Sequence, residues 1–219
     1  MFSAGSTVKL DGYTLGFYGT YFRKAFYIDG QASYGWNNFN NNRRIVFPGI
    51  DRTATASPSG GQATGYGGTG YDFSFGSWTI GPALTFQYLW MGVNGYSESG
   101  ADSLNIQVDR QTTESYQGSA GMKGSWNWTK DKLRLVPRLW GFFRHEFGNV
   151  NPATIASLAQ GSSPFSIQSV APERNFFNVG AGLNIHWTER ALAYLNYEAQ
   201  LGQSAYSAQS ITLGLRFQF

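Results

Sequence analysis

The last ten residues of the chain constrain its fold more than any other stretch. Ile211, Leu213, Leu215, Phe217 and Phe219 occupy every second position, with polar or small residues between them. Because successive side chains of a strand point to opposite faces, the segment has one apolar and one polar face. The apolar face runs to a terminal Phe that no following chain covers, so it needs lipid or a partner. The pattern predicts an all-β fold, an antiparallel transmembrane β-barrel.

Hydropathy and charge exclude several other classes of protein. The mean hydropathy of -0.30 also suits a barrel, because the polar inward half of each strand offsets the apolar outward half. No run approaches the roughly 18 apolar residues of a spanning helix, which excludes a helical membrane protein. The 16 Lys+Arg and 13 Asp+Glu are scattered without a basic stripe, so no nucleic-acid partner is expected. With no Cys, disulfide scaffolds and thiolate metal sites are excluded.

Alternation of period two recurs along the chain and predicts roughly nine strands. Seven of them are placed at 13–21, 26–36, 78–90, 133–147, 177–187, 193–201 and 210–219. The third strand ends with 71–75 and the fifth with 116–128. A long polar loop is predicted at 37–64, with continuation of the strand through 43–47 as an alternative, and a second long loop at 148–174. Residues 1–11 are expected to add at most a short strand through Val8 and Leu10.

The connections alternate between short and long, as periplasmic turns and extracellular loops do in outer-membrane barrels. The Trp residues follow this alternation. An inner aromatic girdle is predicted beside the short turns, from Trp78, Trp126, Trp128 and Trp187. Trp36 and Trp90 end strands that lead into long loops and predict the outer girdle. Trp140, in mid-strand, fits neither girdle.

Eight charged residues fall on the polar side of the alternation and are assigned to the lumen. They are Asp29, Lys123, Arg134, Arg138, Arg144, Glu146, Glu198 and Arg216. One interpretation is a solvated lumen in which these charges pair with each other. The other is that they contact a chain threaded through the barrel.

Motifs for covalent chemistry are weak. Residues 65–70 match G-x-G-x-x-G, but neither the buried strand nor the helix that a dinucleotide site requires flanks them. His145 and Glu146 lack the second His of a zinc helix, and His186 adjoins a periplasmic turn. No G-x-S-x-G elbow occurs. The sequence therefore predicts no catalytic, cofactor or metal site, and no enzyme.

The N-terminal region suggests that the chain is part of a longer one. Its first residues have neither the basic nor the apolar region of an export signal, which an outer-membrane protein requires. If the C-terminus is periplasmic, the first of nine antiparallel strands starts outside the cell. Bacterial single-chain barrels have an even number of strands, with both ends in the periplasm. We therefore expect further sequence upstream.

Several segments resemble a known family in the right order. They are Tyr13-Thr14-Leu15-Gly16-Phe17-Tyr18, Phe26-Tyr27-Ile28-Asp29-Gly30, Gly95-Tyr96-Ser97-Glu98-Ser99-Gly100-Ala101, Arg144-His145-Glu146-Phe147, Val179-Gly180-Ala181-Gly182 and Gly214-Leu215-Arg216-Phe217-Gln218-Phe219. They resemble the C-terminal translocator domain of classical, type V autotransporters, and the resemblance extends over nearly the whole chain.

The resemblance implies a single domain, 1–219, corresponding to the last nine of about twelve strands. Family members have a helix threaded through the pore and export an N-terminal passenger. It implies that the chain anchors and translocates such a passenger at the bacterial outer membrane. A small outer-membrane pore or structural barrel without a passenger is the alternative. A third interpretation, a barrel enzyme, would need a constellation of rim residues that the sequence lacks.

The C-terminal segment also implies an assembly partner. Gly214, Leu215, Phe217 and Phe219 resemble the signal by which the β-barrel assembly machinery recognises its clients. An edge strand with alternate aromatic residues is suited to pairing with the open seam of another barrel. The expected partners are thus outer-membrane lipid, this machinery and the passenger.

Overall fold

The structure is a computed structural model that describes residues 5–148, 153–158, 161, 163–168, 171–188, 190–204 and 206–217. Its strands are β1 Thr7–Arg23, β2 Phe26–Phe47, β3 Ile50–Ala56, β4 Ser59–Tyr71, β5 Phe73–Phe75, β6 Trp78–Val93, β7 Tyr96–Ser97, β8 Ile106–Val108, β9 Gln111–Trp126, β10 Trp128–Lys130, β11 Leu133–Glu146, β12 Ala153–Leu158, β13 Phe165–Gln168, β14 Asn175–Thr188, β15 Ala191–Leu201 and β16 Gln209–Phe217. A 3₁₀ turn spans Asp102–Leu104. In these described ranges no helix is long and apolar enough to cross a membrane.

Nine strands form one curled, wholly antiparallel sheet, which confirms the predicted fold class. Their order is β1-β2-β4-β6-β9-β11-β14-β15-β16. The short strands β3, β5 and β10 pair with β2, β6 and β11. Within the described part of the chain, β1 pairs only with β2 and β16 only with β15, so the sheet has two edges.

The registers align the apolar positions of neighbouring strands into one continuous outer face. Leu213 lies opposite Leu195, which lies opposite Leu183, and Leu183 lies opposite Pro137. Directly opposed residues share a face, so the rows extend around the sheet. Outer side chains are largely exposed, Leu213 by 76%. The concave inner face holds most buried residues of the long strands, among them Tyr27, Ala83, Val136, Phe176 and Asn178.

The first strand is longer than predicted. β1 begins at Thr7 and pairs without interruption with β2, from Thr7 opposite Asn42 to Arg23 opposite Phe26. Val8 and Leu10 therefore belong to the first long strand, and the expectation of a separate short strand is wrong. The segment lacks an apolar outer face because Lys9 and Asp11 continue the row of outward positions that Tyr13 and Leu15 occupy.

Most of the predicted loop 37–64 is also strand. β2 continues through Phe47, turns into β3 and is followed by β4 from Ser59. With 22 residues, β2 is about 70 Å long, and a strand tilted by roughly 40° needs far less to cross a hydrocarbon core of about 25 Å. The β2–β3 hairpin thus projects well beyond the membrane on the side of the long connections. The alternative, continuation of the strand through 43–47, is confirmed. Periodicity did not reveal β3 or the start of β4, because a strand outside lipid needs no apolar face.

The long connections contain a second, four-stranded sheet with the order β13-β12-β8-β7. Its strands come from the connection that follows β6 and from the predicted loop 148–174. We call β3, residues 94–110, β12 and β13 together the extracellular cap. Small apolar residues from three connections are almost fully buried there: Ala54, Ala101, Val108 and Ala156. Backbone hydrogen bonds between Thr55 and Ser99 fasten the hairpin to residues 94–110.

An ion pair at the cap joins Arg43 of β2 to Glu98, in the connection between β6 and β9. Arg43 Nε and Nη2 donate to the two carboxylate oxygens of Glu98 at 2.9 and 2.5 Å, and Nη2 also donates to the Leu104 carbonyl. The backbone N–H of Ile106 donates to Glu98 Oε2 at 3.0 Å. The Glu98 side chain is only 5% exposed. Its hydrogen bond raises the pKa of Arg43. The Glu98 carboxylate therefore holds β2, through Arg43, against β8, through the Ile106 amide.

Candidate functional site: the inner face

The structure places all eight charged residues assigned to the lumen on the inner face. They alternate with outer-face residues in every strand, and the registers keep them on one side. Arg134 and Arg216 lie near the short turns and are exposed, whereas Glu146 is buried at the opposite, extracellular end. The inner face is therefore a polar wall that runs from one membrane surface to the other.

The predicted pairing of these charges with each other is not what the described residues show. Lys123 Nζ lies 3.2 Å from a carboxylate oxygen of Asp72, in the connection between β4 and β5, and 3.8 Å from the ring centroid of Tyr27. Asp29 accepts a hydrogen bond from Thr20. The sequence held a signal for Asp72, because the alternation of Tyr71, Phe73 and Phe75 leaves it on the polar side of a predicted strand, yet it was not among the charges assigned to the lumen.

Trp140, which fits neither girdle, belongs to the inner face. Its indole Nε1 donates to Glu198 Oε2 at 3.2 Å, and Asn178 Nδ2 donates to Glu198 Oε1 at 2.8 Å. The ring lies against Gly180 on the neighbouring strand, where any Cβ would overlap it. One signal in the sequence pointed to this arrangement: Trp140 has an even residue number in a strand whose outward-facing positions are odd.

Two arginines on the same face of β11 as Trp140 retain unused donors. Arg138 Nη2 reaches Asn196 Oδ1 at 3.3 Å, and Arg144 Nη1 reaches Gln117 Oε1 at 3.5 Å. The Nε atoms of both guanidinium groups are buried and have no hydrogen-bond partner among the described residues. A cavity of about 500 Å³ adjoins Arg138; its lining also includes Lys123, Trp140, Asn196 and Glu198. Buried donors without partners favour binding of an acceptor from outside the wall.

Glu146 closes the inner face at the extracellular end. Its carboxylate accepts hydrogen bonds from the backbone N–H groups of Tyr116 at 2.8 Å and Gly148 at 2.7 Å, and from the Ser115 hydroxyl. These donors hold the carboxylate between β9 and the end of β11. Its role in the structure is therefore to fix two strand ends rather than to neutralise an arginine.

The Trp residues of the predicted inner girdle lie on the outer face beside the short turns. Trp78 and Trp126 are directly opposed and stack with ring centroids 6.0 Å apart. Trp128 lies opposite Leu135, and Trp187 occupies the bulge in the register of β14 and β15. Rings at this level suit the membrane–water interface.

The predicted C-terminal assembly signal lies on the edge strand β16. Leu215 and Phe217 are 65% and 55% exposed on the outer face, opposite Ala193 and Ala191. Gly214 lies on the inner face opposite Tyr194, whose ring occupies the space of a Cβ. Phe219 lies outside the described residues.

Nothing in the described part of the chain groups three or more His, Asp or Glu side chains as a metal site would. Residues 65–70, which match G-x-G-x-x-G, lie within β4 and are followed by β5 and β6 rather than by a helix. His145 Nδ1 contacts Asn175 Oδ1 at 2.7 Å, on the outer face.

These features define a class, the β-domains that lie in the bacterial outer membrane with a polar inner wall. The Autotransporter beta-domain family model matches residues 2–198. The chain belongs to the autotransporter beta-domain family. It is an integral outer-membrane domain with the role of translocator for a passenger domain.

Similar proteins agree with this assignment. The chain is 21% identical over 214 residues to an extracellular serine protease of Serratia marcescens, covering 98% of this chain and 20% of that protein. It is 26% identical to the autotransporter adhesin AIDA-I of Escherichia coli, with 96% of this chain and 16% of the adhesin covered. The chain thus spans about a fifth or less of the length of these relatives.

Solved structures share the fold. The translocator domain of NalP from Neisseria meningitidis aligns with a TM-score of 0.72 at 17% identity, covering 98% of this chain and 69% of that one. The β-domain of the Bordetella autotransporter BrkA aligns with a TM-score of 0.69 at 18% identity, covering 99% of this chain and 77% of that one.

Proposed function

We propose that the inner face carries an extended passenger segment across the outer membrane through transient hydrogen bonds to Arg138 and Arg144. In this proposal residues 1–219 act as one β-domain that performs no covalent chemistry. The supporting observations are that both arginines keep a buried Nε–H without a hydrogen-bond partner in the described part of the chain, and that Arg138 also lines a cavity on the inner face. An extended chain offers a carbonyl at every residue and carboxylates at intervals, and both are acceptors for guanidinium groups.

Neutralising these arginines tests the proposal. In the full-length protein, the double variant Arg138→Gln and Arg144→Gln should slow the appearance of the passenger at the cell surface several-fold. The measurement is pulse-labelling followed by protease treatment of intact cells. The Lys versions restore the charge and should recover most of the rate, whereas a purely packing role would leave them as slow as the Gln versions.

The matched control is Lys132→Gln, which removes a cation from an exposed periplasmic turn. Its rate should equal that of the wild type. All variants are compared at equal amounts of heat-modifiable, folded barrel. If Arg138→Gln and Arg144→Gln export the passenger at the wild-type rate, the inner-face arginines do not contact it.

We also propose that the β-barrel assembly machinery recognises the C-terminal segment, and that the outer face then contacts lipid. The exposed apolar row of β16 on an edge strand supports this role. Deleting Phe219 should lower the folded outer-membrane yield more than substitution of a loop residue such as Ser103. The yield is measured by an unboiled gel of outer-membrane fractions, and equal yields for the two variants would rule the role out.

A further inference from the structure

A groove of about 290 Å³ lies on the outer face at the extracellular end of the sheet. Trp36 of β2 and Trp90 of β6 form its walls, and β4 passes between them. The sequence assigned both indoles to the outer girdle, and the structure adds that they flank one groove. The groove faces away from the inner wall, so passenger transport makes no use of it.

The floor of the groove has no side chains. Gly61 lies opposite Trp36 on one side and opposite Gly92 on the other. A Cβ at Gly92 would lie 2.8 Å from the Trp90 ring, and one at Gly61 would lie 2.7 Å from the Tyr34 hydroxyl. The aromatic rings therefore rest against glycine backbone, and the depth of the groove depends on these glycines.

The rim of the groove is polar and carries one cation. Arg110 is exposed, and in the described part of the chain it has no ion-pair or hydrogen-bond partner. Asn94 lies beside it and donates its side-chain amide to Ser59 Oγ at 3.0 Å. Glu114 faces the same side opposite Trp90, but its carboxylate accepts a hydrogen bond from the Tyr116 hydroxyl. The groove therefore combines an aromatic slot with a free guanidinium.

The position of the groove in the membrane determines which molecules can reach it. Girdle indoles mark the level of the headgroups, and this girdle is on the side of the long connections, which is the outer leaflet. We infer that the groove binds the phosphorylated sugar headgroup of lipopolysaccharide, with a phosphate on Arg110 and the sugar or first acyl carbons between the indoles. Guanidinium groups bind phosphate through paired charge-assisted hydrogen bonds. The inference rests on the outer-membrane location and not on the transport proposal.

Native mass spectrometry of the full-length protein, extracted from outer membranes, tests the site. The probes are bisphosphorylated lipid A, dephosphorylated lipid A and phosphatidylglycerol. Wild type should retain bisphosphorylated lipid A in preference to the other two. Arg110→Glu should weaken that binding about tenfold, the value of one charge-assisted contact.

The matched control is Arg23→Glu, an identical charge reversal on the outer face at the periplasmic end of β1. It should bind as wild type does. Gly92→Leu, which displaces the Trp90 ring, should also weaken binding, and Arg110→Gln replaces Arg110→Glu if that variant does not fold. Equal retention of lipid A by Arg110→Glu and wild type, or equal retention of the dephosphorylated form or phosphatidylglycerol by wild type, overturns the assignment.

Discussion

Replacing Gly180 with Leu should destabilise the folded β-domain by about 2 kcal/mol or more, because the new side chain and the Trp140 ring require the same space. The ring has little freedom to move away, since Glu198 accepts its N–H and Asn178 holds Glu198. The measurement is the urea midpoint of the heat-modifiable form in detergent. A lower yield of folded protein in the outer membrane should accompany it.

A neighbouring glycine provides the control. Gly141 lies on β11 opposite Val179, faces the outer side and has open space where a Cβ would stand. Gly141→Leu should therefore leave the midpoint unchanged or raise it in lipid. Combining Gly180→Leu with Trp140→Ala should recover part of the loss. If Gly180→Leu and Gly141→Leu behave alike, the packing of Trp140 on Gly180 contributes nothing.

Replacing Glu98 with Gln should open the extracellular cap and leave the transmembrane part of the sheet intact. The change removes the carboxylate of a largely buried ion pair and leaves Arg43 without a counter-charge. The expected loss of stability is about 2 kcal/mol, less than for a fully buried pair, because water still reaches the Arg43 side chain, which is 31% exposed. Hydrogen exchange should accelerate first at the Ile106 amide, which donates to Glu98, and then in β3.

Asp51→Asn is the matched control in the same hairpin. Asp51 pairs with Arg44 at 2.7 Å, but both side chains are exposed, so loss of the pair should change hydrogen exchange little. Arg44 lowers the pKa of Asp51 through their hydrogen bond, so the small contribution of this pair is lost as the pH falls through that lowered value. Equal exchange in the two variants would show that Glu98 does not hold the cap.

The membrane-facing part of the fold was predictable because lipid imposes a strict rule on every second residue. Leu195, Leu213 and Leu183 follow it, and their strands, faces and order came from periodicity alone. Outside the membrane, strands need no apolar residue at every second position. The Asn-rich end of β2 pairs as regularly as the rest, yet polar residues occupy both of its faces, so no apolar period marks it in the sequence.

The sequence predicted which residues lie on the inner wall, but not which side chains they contact there. Alternation assigned Lys123, Arg138 and Glu198 to one face, whereas the partner of each depends on the stagger between strands and on residues outside them. Lys123 of β9 reaches Asp72 across the intervening strand β6, and Trp140 needs Gly180 on the next strand. Such pairs follow from register, which a single strand's sequence does not contain.

The height of the β2–β3 hairpin above the bilayer has a consequence for how the domain is seen from outside. Its tip carries Val46 and Phe47, both about half exposed, on a paired and therefore stiff ribbon. On a living bacterium this ribbon is an epitope within reach of soluble antibodies. An antibody raised against residues 43–56 would stain unpermeabilised cells and so report the orientation in which the domain was inserted.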